Sequence, residues 1–280
     1  MPLYRLDAPL PALAAPVVLA AFDGWVDAGT AATMAAGAVG ARGLTLASFD
    51  RDALYDFRSR RPTLEIMDGR LASLDWPGIT VRWVELGGRD VLVMTGAEPD
   101  FRWEAFAADT VALVRDLGVR EWISVGAIPS AVAHTRPVPI LGTASSGGVL
   151  RGGVVAGPAG HMRVPAAALS MLEMAVSAAG IPAVGYFAQI PHYVTGPYAP
   201  AALELLKALE AHLGVALPHG ELGDESRQLR TRLDAATAAD EATRDYVERL
   251  EAAADESRRP EGNDLIAEIE RFLRNGGDIQ

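Results

Sequence analysis

Apolar residues along this chain follow two rhythms. Short runs rich in Val, Ile, Leu and Ala predict buried strands at 17–22, 44–49, 79–85, 91–95, 122–126, 139–143 and 184–188. Between them, apolar residues return every three to four positions and predict helices over 28–39, 101–117, 165–179 and 199–213. In 101–117, Phe106, Thr110, Leu113, Val114 and Leu117 share one face, with Asp100 as the expected cap and Gly118 as the stop. Ala202, Leu205, Leu206, Leu209 and Leu213 do the same before Gly214. Strands in turn with helices of this length predict an α/β fold whose mostly parallel sheet is covered on both faces.

The pattern changes near Leu217-Pro218-His219-Gly220. Residues 221–280 hold 16 of the 36 acids and nine of the 25 Lys and Arg. Leu229, Leu233, Ala236, Thr243, Val247 and Leu250 form a narrow seam on one charged helix. The Arg258-Arg259-Pro260-Glu261-Gly262 stretch breaks it, and Leu265, Ile266, Ile269, Phe272 and Leu273 begin a second. The expected organisation is a core domain over 1–216 and a C-terminal helical hairpin over 217–280, which either packs its seam on the sheet domain or another subunit or, in the blander reading, forms a solvated lid.

Composition then removes several functions. A net charge of −11 leaves no basic face for nucleic acid. Lys207 is the single lysine, which excludes nearly all P-loop and Schiff-base chemistry, and the absence of cysteine excludes thiolate nucleophiles and Cys-ligated metal. No cofactor, no metal site and no membrane span are expected. The chain reads as soluble and cytoplasmic.

Polar loops after the strands carry the candidate chemistry, because ligands of open α/β sheets bind beyond the carboxyl ends of the strands. Phe22-Asp23-Gly24-Trp25-Val26-Asp27 offers two carboxylates and an indole. Asp23 and Asp27 could serve as acid and base, and Asp27 could instead cap the next helix. Trp25 either fills the core edge or stacks on a planar ligand. Glu98 and Arg102 follow the fourth strand and either face the same edge or pair with each other, with Trp103 in the core. His134 could shuttle a proton and Arg136 could clamp an anion, or Arg136 could pair with Asp23 or Glu98. His192 and Tyr193 close the set, as site or as subunit contact. These loops are expected to converge on one rim. Dinucleotide, P-loop, zincin and nucleophile-elbow signatures are missing.

The motifs 22–29, Tyr55-Asp56-Phe57-Arg58-Ser59-Arg60-Arg61-Pro62, 96–103, His134-Thr135-Arg136-Pro137 and Gln189-Ile190-Pro191-His192-Tyr193 together resemble the family of the second proteasome assembly chaperone, in its actinobacterial branch. The resemblance covers about residues 15–215 plus the C-terminal helices. It implies a three-layer α/β/α fold of the phosphorylase/hydrolase-like kind. It also implies homo-oligomers, a trimer being the first expectation. Eukaryotic members assist assembly of the proteasome α-ring, and the bacterial members have no established activity. Three functions follow as expectations. One is a homo-oligomeric binding or assembly protein with a protein partner. A second is an enzyme of hydrolase or phosphorylase type, binding a nucleoside-like or other polar ligand in a cleft at the carboxyl edge. In the third, the loop residues build a ring interface.

Overall fold

The computed structural model describes residues 2–158 and 160–257. The expected helix on Leu265, Ile266, Ile269, Phe272 and Leu273 lies outside them. In chain order the elements are β1 (Tyr4–Leu6), β2 (Val17–Asp23), α1 (Ala31–Gly40), β3 (Leu44–Phe49), α2 (Arg51–Leu54), β4 (Thr63–Met67), β5 (Arg70–Asp75), β6 (Ile79–Leu86) and β7 (Arg89–Ala97). They continue with α3 (Trp103–Asp116), β8 (Glu121–Ser130), β9 (Ile140–Ala144), β10 (Val155–Ala156), α4 (Ala168–Ala178), β11 (Ala183–Pro191), α5 (Ala199–Leu213), α6 (Leu222–Ala239) and α7 (Glu241–Ser257).

A nine-stranded sheet runs β1-β3-β6-β7-β2-β8-β11-β9-β10. Its centre, β7-β2-β8-β11, is parallel, and these are the strands with continuous apolar runs. Burial on both faces removes the need for alternation. Antiparallel pairs flank it, β6 joining β7 through the tight Gly87-Gly88 turn and β9 lying against β11, with the short β10 parallel to β9 at the edge. Helices α1 and α5 bury Ala32, Ala35, Val39, Leu205 and Leu209 on one face. Helices α3 and α4 bury Phe106, Leu113, Leu172 and Val176 on the other. The molecule is therefore a three-layer α/β/α sandwich.

Three expectations change. Asp100 does not cap α3: its carboxylate accepts from Asp56 N–H at 2.9 Å, and Arg102 takes the position before the helix at φ 58°. The reason is the tether of this loop to the segment before it, where Asp100 and Phe101 N–H both donate to the Leu54 carbonyl. The charged helix after residue 221 is two helices, parted at Asp240 in extended geometry. Asp240 starts α7 by accepting from Thr243 N–H at 2.8 Å. The β4–β5 hairpin, which pairs with nothing else in the sheet, was not among the expected strands.

Candidate functional site

The parallel strands end at one edge, and their order brings the candidate loops side by side as 98, 23, 134 and 192. Direct pairing fixes the level: Asp23 lies opposite Ala97, and Ser130 opposite Pro191. The loops share a rim, but they form two separate groups, each closed by the protein itself.

In the first group, Asp27 turns inward. It is buried, and its Oδ1 accepts from Ala32 N–H at 2.8 Å and Thr33 N–H at 3.3 Å, the open donors at the start of α1. Thr33 Oγ1 donates to its other oxygen. Burial raises the Asp27 pKa, and these bonds oppose that rise. Glu98 ties the loop across the rim: Oε2 accepts from Trp25 N–H at 3.2 Å and Oε1 from Ala168 N–H at 2.6 Å, at the start of α4. Gly24 permits this closure, since a Cβ there would sit 2.6 Å from Glu98 Oε2. Glu98 thus pairs with backbone rather than with Arg102, which is exposed. Asp23 also faces outward, 3.7 Å from the guanidinium of Arg60, which reaches Asp100 at 4.0 Å. Trp25 stands 64% exposed and Phe101 50% exposed on these adjoining loops. Trp103 is half-buried, its indole N–H donating to the Pro99 carbonyl.

In the second group, the C-terminal helices cover the rim. Tyr193 Oη accepts from His134 N–H at 2.8 Å and lies 2.7 Å from His134 Nδ1. The hydroxyl proton therefore goes to Nδ1, which leaves the ring proton on Nε2, facing Asp234 of α6 at 3.3 Å. Burial lowers the His134 pKa, against the pull of Asp234. Arg136 pairs with Asp255 at 2.7 Å and Glu251 at 3.9 Å, both on α7, and not with Asp23 or Glu98. Thr135 donates to Glu251, and its carbonyl accepts from Arg230. His192 Nδ1 donates to the Ser130 carbonyl at 3.0 Å, so Nε2 accepts from Tyr246 Oη of α7 at 2.9 Å. Val247 and Leu250 of α7 pack with Ala133, Tyr193 and Tyr246 in a small cluster of their own.

Sequence reasoning left out Arg60, Asp234, Tyr246, Glu251 and Asp255. Arg60 lay within the 55–62 motif with no role attached. The others read as a solvated face because nothing local says which rim their helices cross.

Two surface cavities lie away from these residues. One of about 550 Å³ runs along β1, α2 and the Trp76-Pro77-Gly78 turn. One of about 460 Å³ lies between Met34, Ala199 and the start of α6. None of the nine candidate residues lines either.

A family model, the PAC2 family, matches residues 21–237, which span the rim, strands β3 to β11 and most of α6. The chain belongs to the PAC2 family. Solved relatives share its architecture. A protein of unknown function from Corynebacterium glutamicum is 30% identical, with a TM-score of 0.86 over 92% of this chain and 99% of that one. A PAC2 family protein from Streptomyces avermitilis is 34% identical, with a TM-score of 0.75 over 83% and 99%. A proteasome-assembly chaperone homologue from Mycobacterium tuberculosis is 33% identical, with a TM-score of 0.75 over 82% and 99%. No curated protein matches the sequence. Among the described residues of this PAC2 protein, no helix is long and apolar enough to cross a membrane.

The PAC2 rim can therefore do two different things. Its second group holds α6 and α7 in place through charge pairs and an aromatic cluster. Its first group presents an indole, a phenyl ring and the Asp23–Arg60 pair to the outside. Large aromatic and Arg side chains of this kind supply the anchoring energy of protein interfaces.

Proposed function

We propose that this protein is a homo-oligomeric binding or assembly protein, a trimer in the first instance, that engages a protein partner through the exposed Trp25–Phe101 side of the rim. One observation carries this reading. On the half of the rim with His134, Arg136, His192 and Tyr193, the chain's own α6 and α7 take up the polar groups a ligand would meet: His134 is buried facing Asp234, half-buried Arg136 is paired with Asp255, and the exposed His192 is bonded to Tyr246. The neighbouring half keeps its large aromatic groups outside. The Mycobacterium tuberculosis relative is a proteasome-assembly chaperone homologue, and with the α-ring assembly that the family resemblance implies, a proteasome α subunit is the first partner to test.

The test combines two measurements on the full chain. Sedimentation velocity at micromolar concentration should show an oligomer. Titration with recombinant α subunit should give a co-sedimenting complex that weakens at least tenfold in the Trp25→Ala, Phe101→Ala variant. A monomer that binds no α subunit, yet melts several degrees higher with a nucleoside or inorganic phosphate, would reverse the assignment in favour of a small-ligand enzyme.

A further inference from the structure

The seam along the C-terminal helices is continuous in sequence and broken in space. Leu229, Leu233 and Ala236 lie in α6, and Thr243, Val247 and Leu250 in α7, at spacings of four, three, seven, four and three. That is the stripe of one unbroken helix. From Asp224 to Arg259 there is no glycine or proline to stop it. The break falls on one residue. Helix α6 ends at Ala239, α7 begins at Glu241, and Asp240 between them stands at φ −127° and ψ 118°. Helices that fold back on each other ordinarily turn over about two to five residues. Here α7 returns after one. Thr135 marks the return: its carbonyl accepts from Arg230 of α6, and its hydroxyl donates to Glu251 of α7. In one straight helix those two residues would stand roughly 30 Å apart.

The bonds at the break are local, and residues 238–242 are all exposed. Asp240 accepts from Thr243 N–H at 2.8 Å and from the Thr243 hydroxyl, and Arg244 donates to the Ala238 carbonyl at 2.8 Å. These bonds serve groups that a continuous helix pairs in its own ladder. The two halves of the seam also pack on different bodies. Leu229 and Leu233 lie against the α1–α5 face of the sheet, while Val247 and Leu250 lie with Ala133, Tyr193 and Tyr246. The polar contacts of α7 with the rim run from Tyr246 to His192, from Glu251 to Thr135 and Arg136, and from Asp255 to Arg136. The rim of an identical chain offers every one of these partners.

We propose that in the oligomer α6 and α7 straighten into one helix through Asp240, and that α7 docks on the His134–Arg136–His192–Tyr193 half of the rim of a second copy of this chain. This rests on the homo-oligomeric reading and names the element that joins the copies. At 1.5 Å per residue, straightening extends the 17 residues of α7 about 25 Å beyond the end of α6. Its own rim then loses these contacts and receives the α7 of another copy. Helix α6 keeps its place, because Leu229, Leu233 and the Asp234 contact to His134 all precede the bend. Exchange of one element between identical chains needs no new complementary surface, and a short connection favours it. Each copy gives one α7 and receives one, so the assembly closes.

The chain has no cysteine, so single introduced thiols test this on the full-length protein. Thr135→Cys and Glu251→Cys place one thiol on each side of the contact. The two single variants are co-expressed with different tags, purified and treated with a short bis-maleimide. Exchange should give a covalent pair of chains, one of each variant, which neither variant gives when produced alone. A chain carrying both changes is the control, since either route brings its thiols together. A control that links only within itself, with no covalent pair from the co-expressed variants, overturns the exchange. The oligomeric reading then stands if the wild type still sediments as an oligomer, and a monomeric wild type removes both readings together. Adding Asp240→Leu to both variants removes the Thr243 cap and favours the straight helix, so the yield of covalent pairs should rise several-fold. An unchanged or lower yield also overturns the exchange.

Discussion

Asp27 shows how far one residue can be read from its neighbours. Its place before a helix suggested either a catalytic carboxylate or a cap, and the structure uses it on the open N–H groups of Ala32 and Thr33. Replacing it with Ala should cost about 1–2 kcal/mol, the usual loss for a cap. Asp27→Asn keeps the accepting oxygen and sheds a carboxylate whose pKa burial has raised, so it should cost less than half as much. Urea midpoints of the two variants decide this, and equal losses would remove the cap as the cause. His134 gives a different signature. Burial holds its folded-state pKa below the unfolded value of about 6.5, so the unfolded chain takes up more protons as the pH falls. The stability this neutral ring contributes is complete above that value and declines on acidification toward pH 5. The urea midpoint of wild type should therefore fall more between pH 7.5 and pH 5.5 than that of His134→Gln; parallel declines would refute the assignment. Neither role was visible locally for Glu98, whose two partners, Trp25 and Ala168, are separated from it by dozens of positions.

At the scale of elements, the apolar rhythm located the central strands and the four packed helices because burial on both faces leaves little freedom in residue choice. Gly118 and Gly214 ended α3 and α5 as expected, both in left-handed geometry. The failures have physical causes. The seam across Ala236 and Thr243 keeps heptad spacing through Asp240, so periodicity alone cannot see the break there. The hairpin alternates on one face only and carries a bulge, and the Asp68-Gly69 turn was its one legible signal. The packing of α7 leads to a further expectation. Its apolar contacts form a cluster separate from both faces of the sheet, so α7 should open without the core. Val247→Asp should speed amide exchange across α7 and residues 131–136 by at least tenfold. Exchange in β2, β7 and β8 should stay unchanged, and a parallel rise in those strands would show that α7 belongs to the core's cooperative unit.

For the whole molecule, the layer order followed from the alternation of strands and helices, and the rim followed from the parallel centre. The halves of that rim could not be told apart in the sequence. What separates them is where α6 and α7 land, a tertiary choice made by Arg136 and Arg230 reaching across roughly a hundred positions and Tyr246 across about fifty. The order of synthesis gives that cover a temporal meaning. Ribosomes deliver the sheet first and α7 among the last residues described here, so the growing chain completes its strands while His134 and Tyr193 still lie bare. A nascent protein halted before Asp240 would carry an unsealed edge, and the later emergence of α7 is the step that shuts it.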